Sequence, residues 1–393
     1  MNSTKRTIKL VHVTTVPQTF IFFHGQIGFL KKRGFEVHVI SSAGEMGQQF
    51  SQSEAVPFFP ITMTRAVTPR KDLFALFELW RQFRKTKPDI VHSHTPKAGL
   101  LGTLAARLAG VPVVFLSVFG LPQMTSGGMK KAMMNFLTRL ECLLAHCVWT
   151  DSFSMRNYVI GHKLCSSRKA VVLGNGSVKG VDAEKIFSPN IYNIDTRHEI
   201  RARHGIPKES LVIGFVGRIV GDKGMHELAE AWRTLSPSRT DLHLLLVGPR
   251  EVRDPLLPQD DHLFRTDARI HLIGMCSEVP AYLAAMDIFV MPSYREGFGL
   301  TNIEASAMEL PIVTTRIPGC VDSVKDGVTG KLVPPRDVDS LIQAIQAYLD
   351  DATLRRRHGQ AGRERVLRDF RPDFIWEDLH KEYLGLLKKK RVG

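Results

Sequence analysis

The chain alternates short apolar runs with longer amphipathic segments, which is the feature that most limits its possible folds. In the first half, the runs that read as strands are Ile8–Val13, Glu36–Ile40, Asp89–His92, Val113–Ser117, Cys147–Thr150 and Ala170–Leu173. The segments with helical spacing between them are Phe22–Arg33, Leu73–Lys85, Gly99–Ala109 and Met129–Leu144. This alternation is typical of a parallel sheet covered by helices on both faces.

The same alternation then restarts. The second set of predicted strands is Leu211–Val216, Leu242–Val247, Ile270–Leu272, Ile288–Met291, Ile312–Thr314 and Lys331–Val333. A polar stretch, Ser188–Glu209, separates the two sets, so we predict a first domain over residues 1–187 and a second over 188–371. A chain of 393 residues suits two domains. Beyond Pro372, apolar residues at helical spacing predict a final helix over about 372–393.

Composition narrows the class of protein. Apolar residues make up 44% of the chain and charged residues 23%, which is typical of a globular protein and excludes collagen and disulfide scaffolds. The longest apolar run, Val111–Leu121, is shorter than the roughly 18 residues of a membrane span. Five cysteines without a C-x-x-C pair favour reduced thiols in a cytosolic protein over disulfides or a zinc site.

The charge is unevenly distributed. The net charge is +14, and residues 1–185 hold 24 Lys and Arg against 10 Asp and Glu, whereas residues 186–393 hold 29 of each. Such a field attracts a polyanion, an anionic membrane surface or a phosphorylated substrate, although it also fits a merely solvated surface. We expect no nucleic-acid partner, because the chain has neither a clustered aromatic RNA motif nor a zinc pattern.

The densest group of polar and glycine residues follows the predicted strand Ile288–Met291. It runs from Pro292 to Ala305 and contains Glu296 before a glycine turn and Glu304 after it. A helix starting near Leu300 would point its amides at the turn, which suits a phosphate. Carboxylates are repelled by a diphosphate, so we expect both to face neutral sugar hydroxyls. The alternative is that Glu304 only complements the helix dipole and Glu296 is a loop charge.

A second glycine turn follows the strand Leu211–Val216. Gly217 and Arg218 come directly after this strand, and Lys223 stands five residues beyond Arg218. Two cations beside a glycine turn suit a diphosphate, although they could also be ordinary surface charges. The spacing differs from that of a P-loop. Gly274 ends another predicted strand, where a base could lie against the main chain.

Together these motifs resemble the family 4 glycosyltransferases of GT-B fold. The resemblance rests on G-R-x-x-x-x-K-G from Gly217, on E-G-F-G-L-x-x-x-E from Glu296, and on a segment similar to the family's N-G-V-D-x-x-x-F. That third segment starts at Asn175 and is interrupted by residues 177–179. The resemblance covers nearly the whole chain. It implies an α/β architecture of two Rossmann-like domains facing a cleft, with the final helix crossing back to the first domain.

The resemblance also implies roles for the second-domain residues. A nucleotide-sugar donor would bind there, with Arg218 and Lys223 holding the diphosphate and stabilising the leaving nucleotide, and Glu304 taking the ribose hydroxyls. Glu296 would contact the sugar. The donor site would be completed by Gly217, Gly274, Gly297, Phe298, Gly299 and Leu300. Family members retain the anomeric configuration and commonly need no metal, so we expect neither a metal nor a cofactor. Arg218 and Lys223 would stabilise the negative charge of the leaving nucleotide in place of a metal ion.

The first domain would bind the acceptor. His94 follows the predicted strand Asp89–His92 and resembles the family histidine that touches the donor sugar, whereas His92 should point into the core. His94 could instead cap the next helix. Lys97 at the start of that helix could meet an acceptor phosphate. The loop Thr14–Phe20 lacks the glycine pair found in many family members, and we expect it to shape the acceptor pocket, together with Phe22–His24.

Two segments of the first domain combine cations with apolar residues. Arg65–Lys87 and Pro122–Leu144 both have the pattern of basic amphipathic helices, which can lie on an anionic bilayer or simply pack against the sheet. We therefore expect a cytoplasmic protein that binds peripherally to the inner face of the cell membrane.

These features predict a retaining glycosyltransferase. We expect it to move a hexose or N-acetylhexosamine from a UDP-sugar to a glycan acceptor linked to undecaprenyl diphosphate, in surface polysaccharide synthesis. A nucleotide-sugar epimerase or hydrolase of the same fold is the alternative. The sequence leaves the sugar, the linkage and the oligomeric state open.

Overall fold

The computed structural model describes residues 6–251 and 254–392. The chain forms two compact units. One contains the described residues up to Lys179 and from Asp373 onward, and the other contains Gly180–Pro372. The last residue of the predicted final helix, Gly393, lies outside the described residues.

The first unit is built on a parallel sheet of seven strands in the order β3-β2-β1-β4-β5-β6-β7. The strands are β1 Ile8–Val13, β2 Phe35–Ser41, β3 Phe58–Pro60, β4 Ile90–Ser93, β5 Val113–Val118, β6 Cys147–Thr150 and β7 Ala170–Val171. The helices are α1 Gln26–Lys31, α2 Glu45–Glu54, α3 Pro69–Thr86, α4 Pro96–Leu108, α5 Gly128–Leu144 and α6 Phe153–Gly161.

The second unit contains a parallel sheet of six strands in the order β10-β9-β8-β11-β12-β13. The strands are β8 Leu211–Val216, β9 Leu242–Val247, β10 Ile270–Gly274, β11 Ile288–Met291, β12 Ile312–Thr315 and β13 Gly330–Val333. The helices are α7 Ile194–Arg203, α8 Met225–Leu235, α9 Pro258–Thr266, α10 Val279–Ala284, α11 Leu300–Ala307, α12 Cys320–Ser323, α13 Val338–Asp350 and α14 Ala352–Asp369.

The helices of the first unit divide between the two faces of its sheet. Connections between parallel strands are right-handed, so the connecting helix lies on one face when the chain moves towards β3 and on the opposite face when it moves towards β7. The cores agree with this division. Leu10 on β1 packs in one core cluster with Phe20 and Phe50, whereas its neighbour Val11 packs in another with Leu79 of α3 and Leu101 of α4. The helices α3, α4, α5 and α6 therefore cover one face of the sheet.

The last helix, α15 Pro372–Val392, covers the other face of the first sheet. Leu379 and Tyr383 of this helix are fully buried in the core cluster that contains Leu10. The Tyr383 hydroxyl lies 2.6 Å from Nδ1 of His92 on β4, and Nε2 of His92 lies 2.7 Å from the Ser117 hydroxyl. The two ends of the described chain thus share one core.

Several predicted boundaries differ from the structure. The predicted helix Phe22–Arg33 is wrong in part: a 3-10 helix covers Pro17–Phe23, and α1 begins at Gln26. Gly25 separates the two helices at a φ of 76°, and a Cβ there would lie 2.5 Å from the Trp376 ring, so only glycine fits. The strand β3 escaped prediction because it has three residues and ends in proline.

None of the described helices is both long enough and apolar enough to cross a bilayer. The five cysteines are free thiols, as their spacing predicts.

We expect Tyr383→Phe to lower the free energy of unfolding by about 1–3 kcal/mol, because it leaves a buried nitrogen of His92 without its hydrogen bond. Urea denaturation followed by circular dichroism would measure this loss. Tyr192→Phe, which changes a partly exposed side chain, is the control. Equal stability of the two variants would contradict a stabilising role for the His92–Tyr383 bond.

Candidate functional site

The candidate site of the second unit lies where its strand order reverses. β8 and β11 are neighbours in the sheet, but β8 continues along the chain to β9 on one side and β11 to β12 on the other. In open parallel sheets, ligands bind beyond the carboxyl ends of the strands at such a point. The two glycine-containing motifs follow β8 and β11, so the topology places both at this position.

The loop after β8 reaches the loop after β11 through Gly224. This residue has a φ of 71°, and a Cβ at this position would lie 2.0 Å from the carbonyl oxygen of Pro292. Any larger residue would push the two loops apart. The backbone N–H of Tyr294 also donates to the carbonyl of Asp222 over 2.9 Å. The close approach of these loops brings Lys223 beside the second motif.

Lys223 and Glu296 form an ion pair across the two loops. Their side chains are only 15% and 14% exposed, so solvent screens this pair less than an ordinary surface pair. Because the ammonium neutralises the carboxylate, Glu296 can accept hydrogen bonds from sugar hydroxyls beside a negatively charged group. The structure thus brings together two residues that the sequence proposed for catalysis.

Arg218, the other predicted catalytic cation, lies 3.0 Å from a carboxylate oxygen of Glu251 and 3.9 Å from one of Asp222. Asp222 also accepts a hydrogen bond of 2.8 Å from Arg295, which the sequence analysis did not single out. The Arg218 side chain is 41% exposed and therefore accessible to a ligand. Each cation in this group has a carboxylate beside it, so a bound diphosphate would compete with these carboxylates.

The predicted donor-binding segment Gly297–Leu300 leads into α11. Gly299 caps the helix with a φ of 74°, and Glu304 lies one turn beyond Leu300, largely buried at 8% exposure. The Phe298 side chain packs in the core, 5.3 Å from the Phe370 ring between ring centroids. Phe298 can therefore offer a ligand only its main-chain atoms, because its ring is buried.

The predicted glycines of the other loops lie at the same edge of the sheet. Gly217 donates its N–H to the carbonyl of Val247 over 2.9 Å, and Gly248 donates to Gly274 over the same distance. Apart from the two flanking residues, no described atom lies within 4 Å of the place where a Gly274 side chain would begin. The main chain at Gly274 is therefore open on that side.

Two polar residues that follow β11, Ser293 and Tyr294, lie at the candidate site, although the sequence patterns do not single them out. The Tyr294 hydroxyl donates to the Glu227 carboxylate over 2.6 Å, and burial, together with this carboxylate, raises the pKa of the Tyr294 phenol. The Ser293 hydroxyl is buried and has no hydrogen-bond partner among the described residues. Their position directly after a strand was the available signal, because side chains there face the ligand edge.

His94 of the first unit is buried, not exposed at a helix start. Its Nε2 lies 3.0 Å from Nδ1 of His12 on β1, and the Phe23 ring packs against both imidazoles. His92 also packs against His94, with ring centroids 3.9 Å apart, and lies in the core as predicted; His94, two residues further on, is buried beside it. The three histidines form a compact cluster at the carboxyl ends of two neighbouring strands.

Burial keeps these histidines neutral. It lowers the pKa of His12 to about 3, and it lowers the pKa values of His92 and His94 well below the ordinary range, with a further contribution from the neighbouring imidazoles. A neutral imidazole can still donate and accept a hydrogen bond.

Lys97, the predicted acceptor-phosphate ligand, forms an ion pair of 2.6 Å with Asp72. Burial alone would raise the pKa of the Asp72 carboxyl, but hydrogen bonds from Lys97 and Thr68 outweigh this effect and lower it. Lys97 therefore has a charged partner within its own unit.

The loop Thr14–Phe20 is tied to the start of α4. Its Thr15 hydroxyl lies 2.8 Å from the Thr95 hydroxyl, and Thr95 has a φ of 66°, which is unusual for a residue other than glycine. A pair of threonines therefore holds this loop beside His94.

Among the residues that the structure describes, two groups of side chains have the composition of metal sites. One is the histidine cluster of His12, His92 and His94, and the other consists of His226, Glu230 and Asp260. In the second group, Arg233 donates to Glu230 over 2.6 Å and to Asp260 over 2.9 Å. A guanidinium thus already supplies the positive charge there.

Comparison with protein families matches both halves of the chain. Residues 196–365 match the family described as "Glycosyl transferases group 1", and residues 10–152 match the one described as "Glycosyl transferase 4-like".

Two bacterial proteins are similar over almost the whole chain. The capsular polysaccharide biosynthesis glycosyltransferase CapM of Staphylococcus aureus is 34% identical over 382 residues, which cover 97% of this chain and 98% of CapM. The UDP-Gal:alpha-D-GlcNAc-diphosphoundecaprenol alpha-1,3-galactosyltransferase of Escherichia coli is 30% identical over 367 residues, which cover 90% of this chain and 91% of that enzyme.

Solved structures show the same fold. A glycosyltransferase from Rickettsia africae superposes with a TM-score of 0.79 at 20% identity, covering 97% of this chain and 99% of its own. The Anabaena protein HepE in complex with UDP and glucose superposes with a TM-score of 0.78 at 17% identity, covering 96% and 100%. These neighbours confirm the predicted GT-B fold.

We expect the stability of the first unit to fall as the pH drops below about 6.5, the ordinary histidine value. An imidazole with a depressed pKa binds fewer protons in the folded state than in the unfolded state, so acid favours unfolding between that value and the folded pKa of about 3 for His12. Each such histidine contributes a slope of about 1.4 kcal/mol per pH unit.

His12→Phe should therefore reduce the slope of unfolding free energy against pH by about 1.4 kcal/mol per unit between roughly pH 5 and 6. Urea denaturation at several pH values would measure the slope. His198→Phe, at a partly exposed position of the second unit, is the control. An unchanged slope in His12→Phe would show that His12 is protonated in the folded protein.

Proposed function

Because the chain belongs to the group 1 glycosyltransferases, we propose that it transfers a hexose or N-acetylhexosamine from a UDP-sugar to a lipid-linked glycan acceptor. The observation that carries this proposal is the shielded Lys223–Glu296 pair at the point of strand reversal. It combines a cation for phosphate with a carboxylate for sugar hydroxyls in one place.

The choice of UDP rests on the E. coli relative, which is named for UDP-Gal as its donor. On this chain, the open main chain at Gly274 would take the uracil and Glu304 the ribose hydroxyls. Arg218 and Lys223 would contact the diphosphate. Arg218 is now paired with Glu251 and Lys223 with Glu296. The diphosphate would replace these two carboxylates as the partner of the cations.

The choice of acceptor rests on the same relative, whose name specifies an undecaprenol-diphosphate-linked sugar. CapM belongs by its name to capsular polysaccharide biosynthesis. We propose a comparable place for this chain in the synthesis of surface polysaccharide, at the inner face of the cell membrane. The cationic excess of residues 1–185 would attract both an anionic bilayer and a lipid diphosphate.

The proposed transfer retains the anomeric configuration. The bond between the sugar C1 and the diphosphate oxygen breaks, and the bond between C1 and the acceptor oxygen forms on the same face of the sugar. The acceptor proton passes to the departing diphosphate, so the step needs no other reactant. The enzyme would contribute by positioning the two substrates and by stabilising the charge of the leaving group.

We propose that this charge is stabilised by Arg218 and Lys223 without a metal ion. Arg218 presents a planar fork that fits phosphate oxygens, whereas Lys223 supplies a compact charge with little exposure to solvent. The contact of His94 with the donor sugar and that of Lys97 with an acceptor phosphate stay predictions.

The proposal is tested by incubating the purified protein with radiolabelled UDP-hexoses and UDP-N-acetylhexosamines in the presence of undecaprenyl-diphosphate-linked sugar. Label in the organic extract supports the transfer. An epimerase would instead change the sugar while it is still attached to UDP, and a hydrolase would release free sugar without acceptor. Either product alone would overturn the transferase proposal. A parallel reaction in EDTA tests independence from metal.

We expect Lys223→Ala to lower kcat more than it weakens donor binding, because its charge matters most as the diphosphate departs. Steady-state kinetics and calorimetric titration with UDP would separate the two effects. Lys208→Ala, at an exposed position of the same unit, is the control. Equal losses in kcat and in binding would contradict stabilisation of the leaving group.

Glu304→Ala should weaken UDP binding by about 1–3 kcal/mol through loss of hydrogen bonds to the ribose. Because Glu304 is largely buried, Glu304→Gln serves as a second variant that keeps the side-chain volume. Calorimetric titration with UDP measures the affinity of both, after thermal unfolding has shown that they fold. Wild-type affinity in both variants would remove Glu304 from the donor site.

A further inference from the structure

Three adjacent helices belong to the layer that covers one face of the first sheet. α4 packs against α3 on one side and against α5 on the other. All three helices begin at the carboxyl edge of the sheet, the edge at which His94 and Lys97 lie. The outward side chains of α3, α4 and α5 form the α3–α5 face.

α5 exposes four large apolar side chains and buries Thr138 and Glu141, which departs from the pattern of an ordinary surface helix. The exposed stripe consists of Met129, Met133, Phe136 and Leu143, which are 88%, 54%, 65% and 67% exposed. Their spacing of four, three and seven residues places them along one side of the helix. The side buried against the unit contains Thr138, Glu141 and Cys142. Packing on the sheet therefore does not account for the apolar stripe.

α3, on the other side of α4, also exposes apolar side chains. Leu73, Phe74 and Phe77 in its first half are 69%, 54% and 52% exposed. Isolated exposed apolar residues need no explanation, but groups of them on two helices that flank α4 mark an interaction surface.

The charges of the α3–α5 face are cationic. α5 carries Lys130, Lys131 and Arg139, and its one acidic residue, Glu141, is buried. The exposed cations of α3 are Arg70, Lys71, Arg81, Arg84 and Lys85.

The acidic residues of α3 are engaged within the unit. Asp72 pairs with Lys97, and Glu78 accepts a hydrogen bond of 2.9 Å from the backbone N–H of Thr62. Lys97 neutralises Asp72, so Glu78 is the remaining carboxylate of α3, against five exposed cations on the same helix.

We propose that the α3–α5 face docks on an anionic lipid bilayer, with the apolar stripe of α5 in the boundary between headgroups and acyl chains. Lys130 and Lys131, next to the stripe, would contact lipid phosphates. A second copy of the chain fits less well, because two surfaces of the same positive charge repel each other. A nucleic acid would satisfy the cations but would leave the apolar stripe in water.

Docking through this face deepens the proposed function and rests on it for the identity of the acceptor. It would hold the carboxyl edge of the first sheet, with His94 and Lys97, close to a lipid-linked substrate. The chain would need no membrane-spanning helix to reach that substrate.

The test is co-sedimentation of the full chain with vesicles of phosphatidylglycerol and phosphatidylcholine in equal parts, without donor or acceptor. Lys130→Gln combined with Lys131→Gln should weaken binding by about 25-fold, since each cation near an anionic surface contributes a factor of about five. Met133→Gln combined with Phe136→Gln leaves the charge unchanged and should also weaken binding by at least about tenfold. All four side chains are exposed or partly exposed, so both variants should fold.

Matched controls come from the second unit. Arg356→Gln with Arg357→Gln removes two exposed cations, and Ile191→Gln with Ile194→Gln removes two exposed apolar side chains. Both control proteins should bind vesicles as the wild type does. Wild-type binding by the α5 variants, or equal losses in variants and controls, would overturn the proposal. So would a wild-type dimer in size-exclusion chromatography that the stripe variant abolishes while vesicle binding persists.

Sugar transfer measured in detergent micelles separates this proposal from the proposed function. α5 variants that lose vesicle binding but transfer sugar normally in micelles support docking by this face. Vesicle binding that depends on α5, in a protein that transfers no sugar under any condition, would overturn the transferase proposal and still support the docking surface.

Discussion

The parallel arrangement of both sheets is the constraint on which the rest of the structure depends. Parallel strands send all their carboxyl ends to one edge, so loops that are far apart in the sequence meet there. In the second unit this constraint brings Lys223 and Glu296, which lie 73 residues apart, into one ion pair. In the first unit it gathers His12, His92 and His94 into one buried cluster. Neither group results from local sequence, because each joins residues from different strands.

The two groups have opposite electrostatic character. The second unit places Arg218, Lys223 and Arg295 beside carboxylates, so that the site is charged but locally balanced. In the proposed function, a donor diphosphate would replace these carboxylates as the partner of the cations. The histidine cluster of the first unit is neutral, because burial disfavours its protonated forms. A group of paired charges and a neutral polar cluster therefore belong to different units of one chain.

The α3–α5 face places part of the positive charge of the first half beside exposed apolar side chains. Charge alone fits a solvated surface equally well, since cations without apolar neighbours favour solubility. The exposed stripe of α5 changes this interpretation, because water disfavours a continuous row of methionine and phenylalanine side chains. The cations and the stripe together match the two layers of a bilayer surface, namely its phosphates and its acyl boundary.

The sequence by itself determined the α/β class, most of the strands and the positions of the two glycine-containing motifs directly after β8 and β11. Period-two and period-3.6 patterns are local, and five predicted strands, such as Leu211–Val216, coincide with the structure residue for residue. The sequence missed the break at Gly25 and the short strand β3, whose conformations depend on the Trp376 ring and on pairing with β2. It also placed Phe298 in the donor site, which stays a prediction; only tertiary packing shows that the ring is buried against Phe370, so that a ligand would meet the main chain of this residue. Only the tertiary structure decided which charges are paired and which side of α5 faces water, because both depend on neighbours from distant parts of the chain.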